Sequence, residues 1–294
     1  MTSRKNFEVK LRSGALKLGE RTLVMGVLNV TPDSFSDGGD FLDPQRAIQH
    51  ALAMEKAGAD LLDIGGESTR PGSQGTPARD ELARILPVLQ GLRGRLNIPV
   101  SVDTRKAEVA EAALSAGAQI INDVSGLKND TRIAEVAARR AAPLILMHMR
   151  GEPATMQKGP FARDVMRDVL QGLRASILKA RKGGLQKSQI IVDPGIGFGK
   201  SFEQNYELLR KLPEIAKLGY PVLVGTSRKG FLGATLARDG KPLPPEQRIW
   251  GTAATVTATI LAGAHIVRVH DVEEMVQVAR VADCVLDCSR RRRP

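Results

Sequence analysis

Short apolar runs rich in valine, isoleucine and leucine alternate with longer amphipathic stretches along most of the chain. The apolar runs are Leu23–Asn29, Asp60–Ile64, Pro99–Asp103, Ile120–Val124, Pro143–His148, Ile190–Asp193, Pro221–Gly225 and His265–Val269, which predict eight strands. The stretches between them predict helices over Pro44–Ala57, Ala78–Leu92, Lys106–Ala116, Arg132–Arg140, Phe161–Lys182, Phe202–Leu212, Gly230–Ala237, Arg248–Leu261 and Val272–Leu286. A strand that is apolar throughout is buried on both faces, as in a parallel sheet. Eight β–α units in 294 residues predict an α/β protein, a single (β/α)8 TIM-barrel domain, rather than an open sheet. Residues 1–21 contain FEVKLRSGALKL, a predicted hairpin turning at Ser13-Gly14 and placed to cap the barrel floor.

One recurrence sharpens this frame. AGADLLDIGG starts at Ala57, AGAQIINDVSG at Ala116 and AGAHIVRVHDV at Ala262. In each, glycine ends a helix and an apolar strand follows that finishes in polar residues. Counted equally from the AGA, one position holds Asp63, Asn122 and Arg268. A repeated scaffold thus carries different chemistry at a fixed point near the strand's carboxyl end.

In such a barrel the carboxyl ends of the strands form the functional face. Those ends carry Asn29, Asp63, Asp103, Asn122, His148, Asp193, the run Ser227-Arg228-Lys229, and Arg268 with His270. A ring of buried polar groups around one mouth is costly unless something fills it. Asp103, Asn122 and Asp193 make an acceptor-rich sector suited to a 2-amino-4-oxopyrimidine edge, which offers a ring N–H beside an amino group. Arg70, Arg228, Lys229, Arg268 and His270 make a basic sector suited to phosphate oxygens. Asn29 offers an oxygen to Mg²⁺, an ion that binds through few protein groups plus substrate phosphates and water. The ligand these sectors describe is a flat, donor-bearing heterocycle with a phosphorylated arm.

Two loops at that face, Asn29–Gly39 and Gly65–Pro77, are rich in Gly, Pro, Ser and Asp and long for a βα connection, which suggests lids. The segment DPGIGFGKS from Asp193 resembles a nucleotide-binding P-loop, but Pro194 stands where that motif needs glycine. Its glycines are read instead as letting backbone approach a flat ligand, with Phe198 lining the pocket.

Charge changes the picture little. The net charge of +11 invites a nucleic-acid partner, yet four of the positive charges are Arg290–Arg293 in the tail 288–294, expected to be disordered, and aromatics are only 3%. A basic surface with an anionic small-molecule substrate fits better. Cys284 and Cys288 sit four apart, a poor disulfide geometry on a helix and too few ligands for zinc. No apolar run reaches membrane-spanning length and the start lacks a signal peptide's apolar stretch, so no membrane partner and a cytoplasmic location are expected.

NVTPDSFSDGG, GGESTRPG, VDTRK, MHMRGEPATMQ, DPGIGFGK, GTSRKGFLG and RVHDV follow one another from Asn29 to Val272. Together these blocks resemble the signatures of the dihydropteroate synthase family. The resemblance implies a (β/α)8 barrel, a homodimer, Mg²⁺, and sulfonamides as inhibitors. It implies condensation of 6-hydroxymethyl-7,8-dihydropterin diphosphate with 4-aminobenzoate to 7,8-dihydropteroate and pyrophosphate, without a protein nucleophile. Carried over by motif, Asp103, Asn122, Asp193, Lys229 and Phe198 would hold the pterin, and Asn29 the metal. Asn29, Thr69, Arg70, Arg268 and His270 would hold the diphosphate. Thr31, Pro32, Asp33, Phe35, Ser68, Pro71, Gly72 and Ser227 would shape the aminobenzoate pocket. Catalysis would fall to Lys229, Arg70, Asp103 and Asp193. Gly230 departs from the pattern, standing where many relatives carry serine.

Two rivals share the pterin-holding carboxylates: a pterin-dependent methyltransferase of the same barrel family, which needs no basic anion sector, and a non-catalytic pterin-binding paralogue. Some residues have plainer readings. His148 is equally a core histidine or a ligand contact, Asp63 a brace for the second loop, Trp250 a packing residue, Arg84, Arg93 and Arg95 a solvated helix face, and 237–248 a flexible insert.

Overall fold

The computed structural model describes residues 4–12, 14–31, 43–69 and 72–286. A two-stranded antiparallel hairpin, β1 (Phe7–Leu11) and β2 (Gly14–Leu18), precedes β3 (Leu23–Asn29), α1 (Pro44–Lys56), β4 (Leu61–Gly65), α2 (Ala78–Leu92), β5 (Val100–Asp103), α3 (Ala107–Ala116) and β6 (Ile120–Asp123). Then come α4 (Arg132–Arg139), β7 (Leu144–Met147), α5 (Val165–Lys182), β8 (Ile190–Asp193), α6 (Phe202–Arg210), α7 (Leu212–Ala216), β9 (Leu223–Val224), α8 (Gly230–Thr235), α9 (Ile249–Leu261), β10 (Ile266–Val269) and α10 (Val272–Leu286). The strands β3 to β10 pair in parallel in the order β8-β7-β6-β5-β4-β3-β10-β9. A bridge between Val192 and Val222 joins β8 to the start of β9 and brings the ends of the sheet together. The predicted barrel is therefore present, with its eight strands where the apolar runs lie.

Side-chain alternation divides each strand between two cores. Val24, Leu62, Val102, Ile121, Leu144, Val192 and Val267 pack outward against the helices. Leu23, Met25, Leu61, Ile120, Ile145, Ile191, Leu223 and Ile266 fill the barrel's lower interior, and Val9, Leu16 and Leu18 of the hairpin close it from below. The hairpin is thus a floor plug. Its register pairs Leu11 with Gly14, so the turn falls one residue earlier than Ser13-Gly14, and Ser13 lies outside the described residues. His265, 3% exposed, ties the plug's approach to the barrel: Nδ1 accepts from Val222 N and Nε2 lies 3.0 Å from Lys5 O.

Gly58, Gly117 and Gly263 of the three AGA turns all have positive φ, between 99° and 122°, which glycine adopts without a Cβ clash. Helix α5 starts at Val165, not Phe161, because Asp164 caps it, accepting from Arg167 N at 2.9 Å. The segment 202–216 forms two helices, since Leu212-Pro213 opens a new one. The 237–248 insert holds an Arg238–Lys241 bridge and a 3-10 turn over Pro245–Gln247.

Two plain readings are corrected. Trp250 is 80% exposed on α9 and packs into no core. Arg84 is not simply solvated: it donates to Gly66 O at 2.7 Å and clips α2 to the second loop. Cys284 sits half-buried on α10, and Cys288 and the 288–294 tail lie outside the described residues. Among the described residues no helix is long and apolar enough to cross a membrane.

Candidate active site

The same alternation that seals the floor builds the rim. Two residues beyond the floor positions Leu61, Ile120, Ile191 and Ile266 stand Asp63, Asn122, Asp193 and Arg268, on the same inward face. One cavity at the carboxyl ends is lined by Thr69, Asp103, Asn122, Met147, Asp193, Phe198, Ser227, Lys229, Arg268 and His270, among others. The acceptor and basic sectors therefore share a single mouth, which separate cavities for Asp103, Asp193, Lys229 and Arg268 would have excluded.

The remaining expected residues stand apart from that lining. Asn29 ends β3 on the inward face, half-buried, and Thr31 is buried just beyond it. Ser68 is half-buried in the second loop and its carbonyl accepts from Ser73 Oγ. Gly72 donates to Pro153 O at 2.9 Å. Pro32, Asp33, Phe35, Arg70 and Pro71 lie outside the described residues, as does most of the first loop.

Buried charge dominates the electrostatics. Arg268 Nε donates to Asp63 Oδ2 at 2.7 Å and Nη2 to Asp103 Oδ2 at 3.1 Å. Asn122 Nδ2 donates to the same Asp63 oxygen at 2.8 Å. Asp63 is 0% exposed and does not line the cavity, so it is a hub beneath the site rather than a brace for the second loop. Burial and the neighbouring Asp63 push the Asp103 carboxyl well above the usual range, against the pull of Arg268. Burial also raises Asp193, whose Oδ1 accepts from Gly195 N at 2.7 Å. Lys229 donates to Ile196 O at 2.8 Å and sits 4.1 Å from the Phe198 ring centroid, a cation–π contact; burial pushes it down to about 8.

The basic sector is smaller than the sequence reading had it. Arg228 turns away to Asp271, with Nε donating to Oδ2 at 3.1 Å, and pins β9's loop to α10. Burial, then Arg268, push His270 down to about 3, so it is a neutral ring, with Nδ1 3.0 Å from Ser227 Oγ. Arg268 and Lys229 are the cations that line the described cavity.

Two glycines of DPGIGFG, Gly195 and Gly199, are required by close protein backbone, and Gly195 also lines the cavity. A Cβ on Gly195 would stand 1.9 Å from His148 O, and one on Gly199 would stand 2.0 Å from Arg150 O. The loop is pressed against the strand-end segment Met147–Arg150. Lys200, 1% exposed, locks the pair together: its ammonium donates to His148 O (3.0 Å), Phe198 O (2.9 Å) and His148 Nδ1 (3.0 Å). His148 is thus a core histidine, held neutral by burial and Lys200.

Three rim loops are also bolted together. Buried Glu67 accepts from Arg105 (2.9 Å), Lys106 (2.9 Å) and Thr76 N (3.0 Å), and Arg105 reaches Glu152 at 3.1 Å. The sequence reading passed over Lys200, Glu67 and Arg105. Their only signal was a charged residue inside an otherwise loop-like motif.

The chain belongs to the pterin binding enzyme family, whose model matches residues 25–270. Within that class the chain is similar to dihydropteroate synthases. It is 51% identical to the dihydropteroate synthase of Synechocystis over 267 residues, 91% of each chain. Against that of Bacillus subtilis the identity is 45% over 279 residues, 95% of this chain and 94% of the other. The structure superposes on Xanthomonas albilineans dihydropteroate synthase with 4-aminobenzoic acid at a TM-score of 0.88, with 41% identity, covering 96% of this chain and 98% of that one. It superposes on the same enzyme in complex with 7,8-dihydropteroate at a TM-score of 0.84, with 40% identity and coverages of 95% and 98%.

The opposed shifts of Asp103 and Lys229 set an expected pH profile. A donor-bearing heterocycle needs Asp103 ionised, so kcat/KM falls on the acid side as Asp103 gains its proton. Asp103 is raised to about 8 and Lys229 is lowered to about 8, so the alkaline limb, where Lys229 loses its charge, follows directly and the profile is a narrow peak near pH 8. Lys229→Arg keeps its proton and should carry the alkaline limb to higher pH; a limb that stays in place in this variant assigns it to another group.

Proposed function

We propose that the protein is a dihydropteroate synthase, acting in the cytoplasm on 6-hydroxymethyl-7,8-dihydropterin diphosphate and 4-aminobenzoate. The observation that carries this reading is one cavity whose buried acceptors, Asp103, Asn122 and Asp193, stand beside Lys229 and Arg268. Acceptors take the 2-amino-4-oxo edge; the cations take oxygens of the diphosphate arm. Thr69 and neutral His270 add uncharged hydrogen bonds at that arm, with Arg70 supplying a further cation. The Xanthomonas albilineans dihydropteroate synthase, solved with 4-aminobenzoic acid and with 7,8-dihydropteroate, supports the substrate class.

The residues can act without a nucleophile of their own. The bond between the pterin methylene carbon and the diphosphate oxygen breaks, and the electron pair leaves with pyrophosphate. Arg268 and Lys229 stabilise that growing negative charge. The electron-rich ring shares the positive charge left on carbon, and the buried carboxylates of Asp103 and Asp193 stabilise it. The aniline nitrogen then forms the new C–N bond and gives up a proton. Thr31 to Phe35, Ser68 to Gly72 and Ser227 would frame the aminobenzoate and keep water from the carbon. A sulfonamide presents a similar aniline and would compete there.

Among the described residues no group of three His, Cys, Asp or Glu side chains could hold a metal unaided. Asn29, a single oxygen donor at the rim, fits Mg²⁺ brought in on the diphosphate and completed by water, and the ion would supply further charge for the leaving group.

The test is direct. Incubating the protein with the pterin diphosphate, Mg²⁺ and labelled 4-aminobenzoate should yield labelled dihydropteroate. A folded protein that binds pterin yet forms no product would instead be a binding paralogue.

The proposal includes a homodimer. Trp250 on α9 is 80% exposed, and Val281 and Val285 on the adjoining α10 are 66% and 45% exposed, apolar side chains that pairing would cover. Trp250→Glu should move the species seen by light scattering from dimer to monomer; an unchanged mass puts the seam elsewhere.

A further inference from the structure

Asp63 touches neither the cavity nor the solvent, yet it holds two residues that line the cavity. Asn122 Nδ2 and Arg268 Nε both donate to its Oδ2, at 2.8 and 2.7 Å. An amide can present either a donor or an acceptor, and nothing in the side chain itself decides which. Here the partner decides. An ionised carboxylate only accepts, so Asn122 must turn its NH₂ group toward Asp63, whose charge is balanced by Arg268. Its Oδ1 is then left over, buried and without a hydrogen-bond partner in the protein. Asn122 is 2% exposed and lines the cavity, so that oxygen is what it offers a ligand.

We propose that Asp63 is a positioning residue that sets the site's heterocycle specificity: it fixes Asn122 as an acceptor and holds Arg268 by one edge. With Asn122 fixed, Asp103, Asn122 and Asp193 form an acceptor-only wall, which takes an amino group and rejects a carbonyl at the same place. With Arg268 held through Nε, its outer nitrogens can leave Asp103 for an arriving anion without the side chain swinging free. The inference rests on the pterin reading above and goes beyond it in naming what makes the site choose. The three residues occupy the same place after the three AGA turns, on β4, β6 and β10. The repeat thus brings a carboxylate, an amide and a guanidinium to one level of the barrel.

The experiment compares two uncharged probes by calorimetry, 2-amino-4-oxopteridine (pterin) and 2,4-dioxopteridine (lumazine), which differ in the amino group. Wild type should prefer pterin, and Asp63→Ala should lower that preference at least tenfold, because a released Asn122 can turn its NH₂ to the 2-oxo group. A general loosening of the barrel weakens both probes alike, and an unchanged ratio overturns the proposal. If Asp63→Ala does not fold, Asp63→Leu, which keeps the side chain's shape but accepts no hydrogen bond, decides. The pterin preference should again fall at least tenfold, and an unchanged ratio overturns the proposal. If wild type binds neither probe, the pterin reading fails on its own. The side-chain amide protons of Asn122 then decide by NMR. They should exchange slowly with water in wild type and at least tenfold faster in Asp63→Ala, and equal rates overturn the proposal.

Discussion

Arg268→Ala is expected to lower kcat/KM at least tenfold and to cost stability of about 3–5 kcal/mol, the usual effect of removing one partner from a buried ion pair. Arg268 contacts two of the site's three buried carboxylates, Asp63 and Asp103, and attracts the third, Asp193. Without it the carboxylates face one another with Lys229 as the remaining cation at the cavity. They respond by holding protons to higher pH. The deficit relative to wild type should therefore be full in the alkaline range, above the variant's still higher Asp103 value, and shrink as pH falls toward about 8, below which Asp103 is protonated in both proteins. Urea titrations of both proteins at several pH values measure this. A deficit independent of pH would mean that the loss is one of packing, and that Arg268 is not the counter-charge of the site.

Lys229→Ala should lower kcat/KM at least tenfold as well, through loss of a charge-assisted contact of about 1.5–3 kcal/mol. Its structural cost should be smaller than that of Arg268, because its one acceptor among the described residues is the Ile196 carbonyl at the cavity edge. Lys229 also rests on Phe198, and a Cβ on Gly197 would come within 3.0 Å of its side chain, so truncation also frees the wall of DPGIGFG. Steady-state kinetics with each substrate varied in turn separates these effects. Loss confined to the KM for the pterin diphosphate points to binding, and loss in kcat points to the leaving group. Near-normal turnover in both Arg268→Ala and Lys229→Ala would mean that the basic sector is wrongly assigned.

The barrel was legible because its strands are buried on both faces. Runs such as Leu144–Met147 and Ile190–Asp193 carry no polar residue before their last positions, and helix ends are marked by glycines that need positive φ. The rim was legible for a related reason: a polar side chain at the end of an apolar strand has no local use, so Asp193 and Arg268 stand out. Partner choice was not legible. Asp63 meets Arg268 across 205 residues of sequence, and Arg228 meets Asp271 across 43, so the adjacent basic pair Arg228 and Lys229 splits into one tie and one site cation. Lys200 was hidden for the same reason. In sequence it looks like the exposed start of a helix, and only the fold reveals three acceptors closed around its ammonium.

The hairpin plug also governs traffic. With Val9, Leu16 and Leu18 stoppering the barrel's foot, cargo comes and goes by the upper doorway. On the reading proposed above, Asn122 and Asp193, two residues above the floor positions Ile120 and Ile191, would seat the heterocycle deepest, so it would enter first.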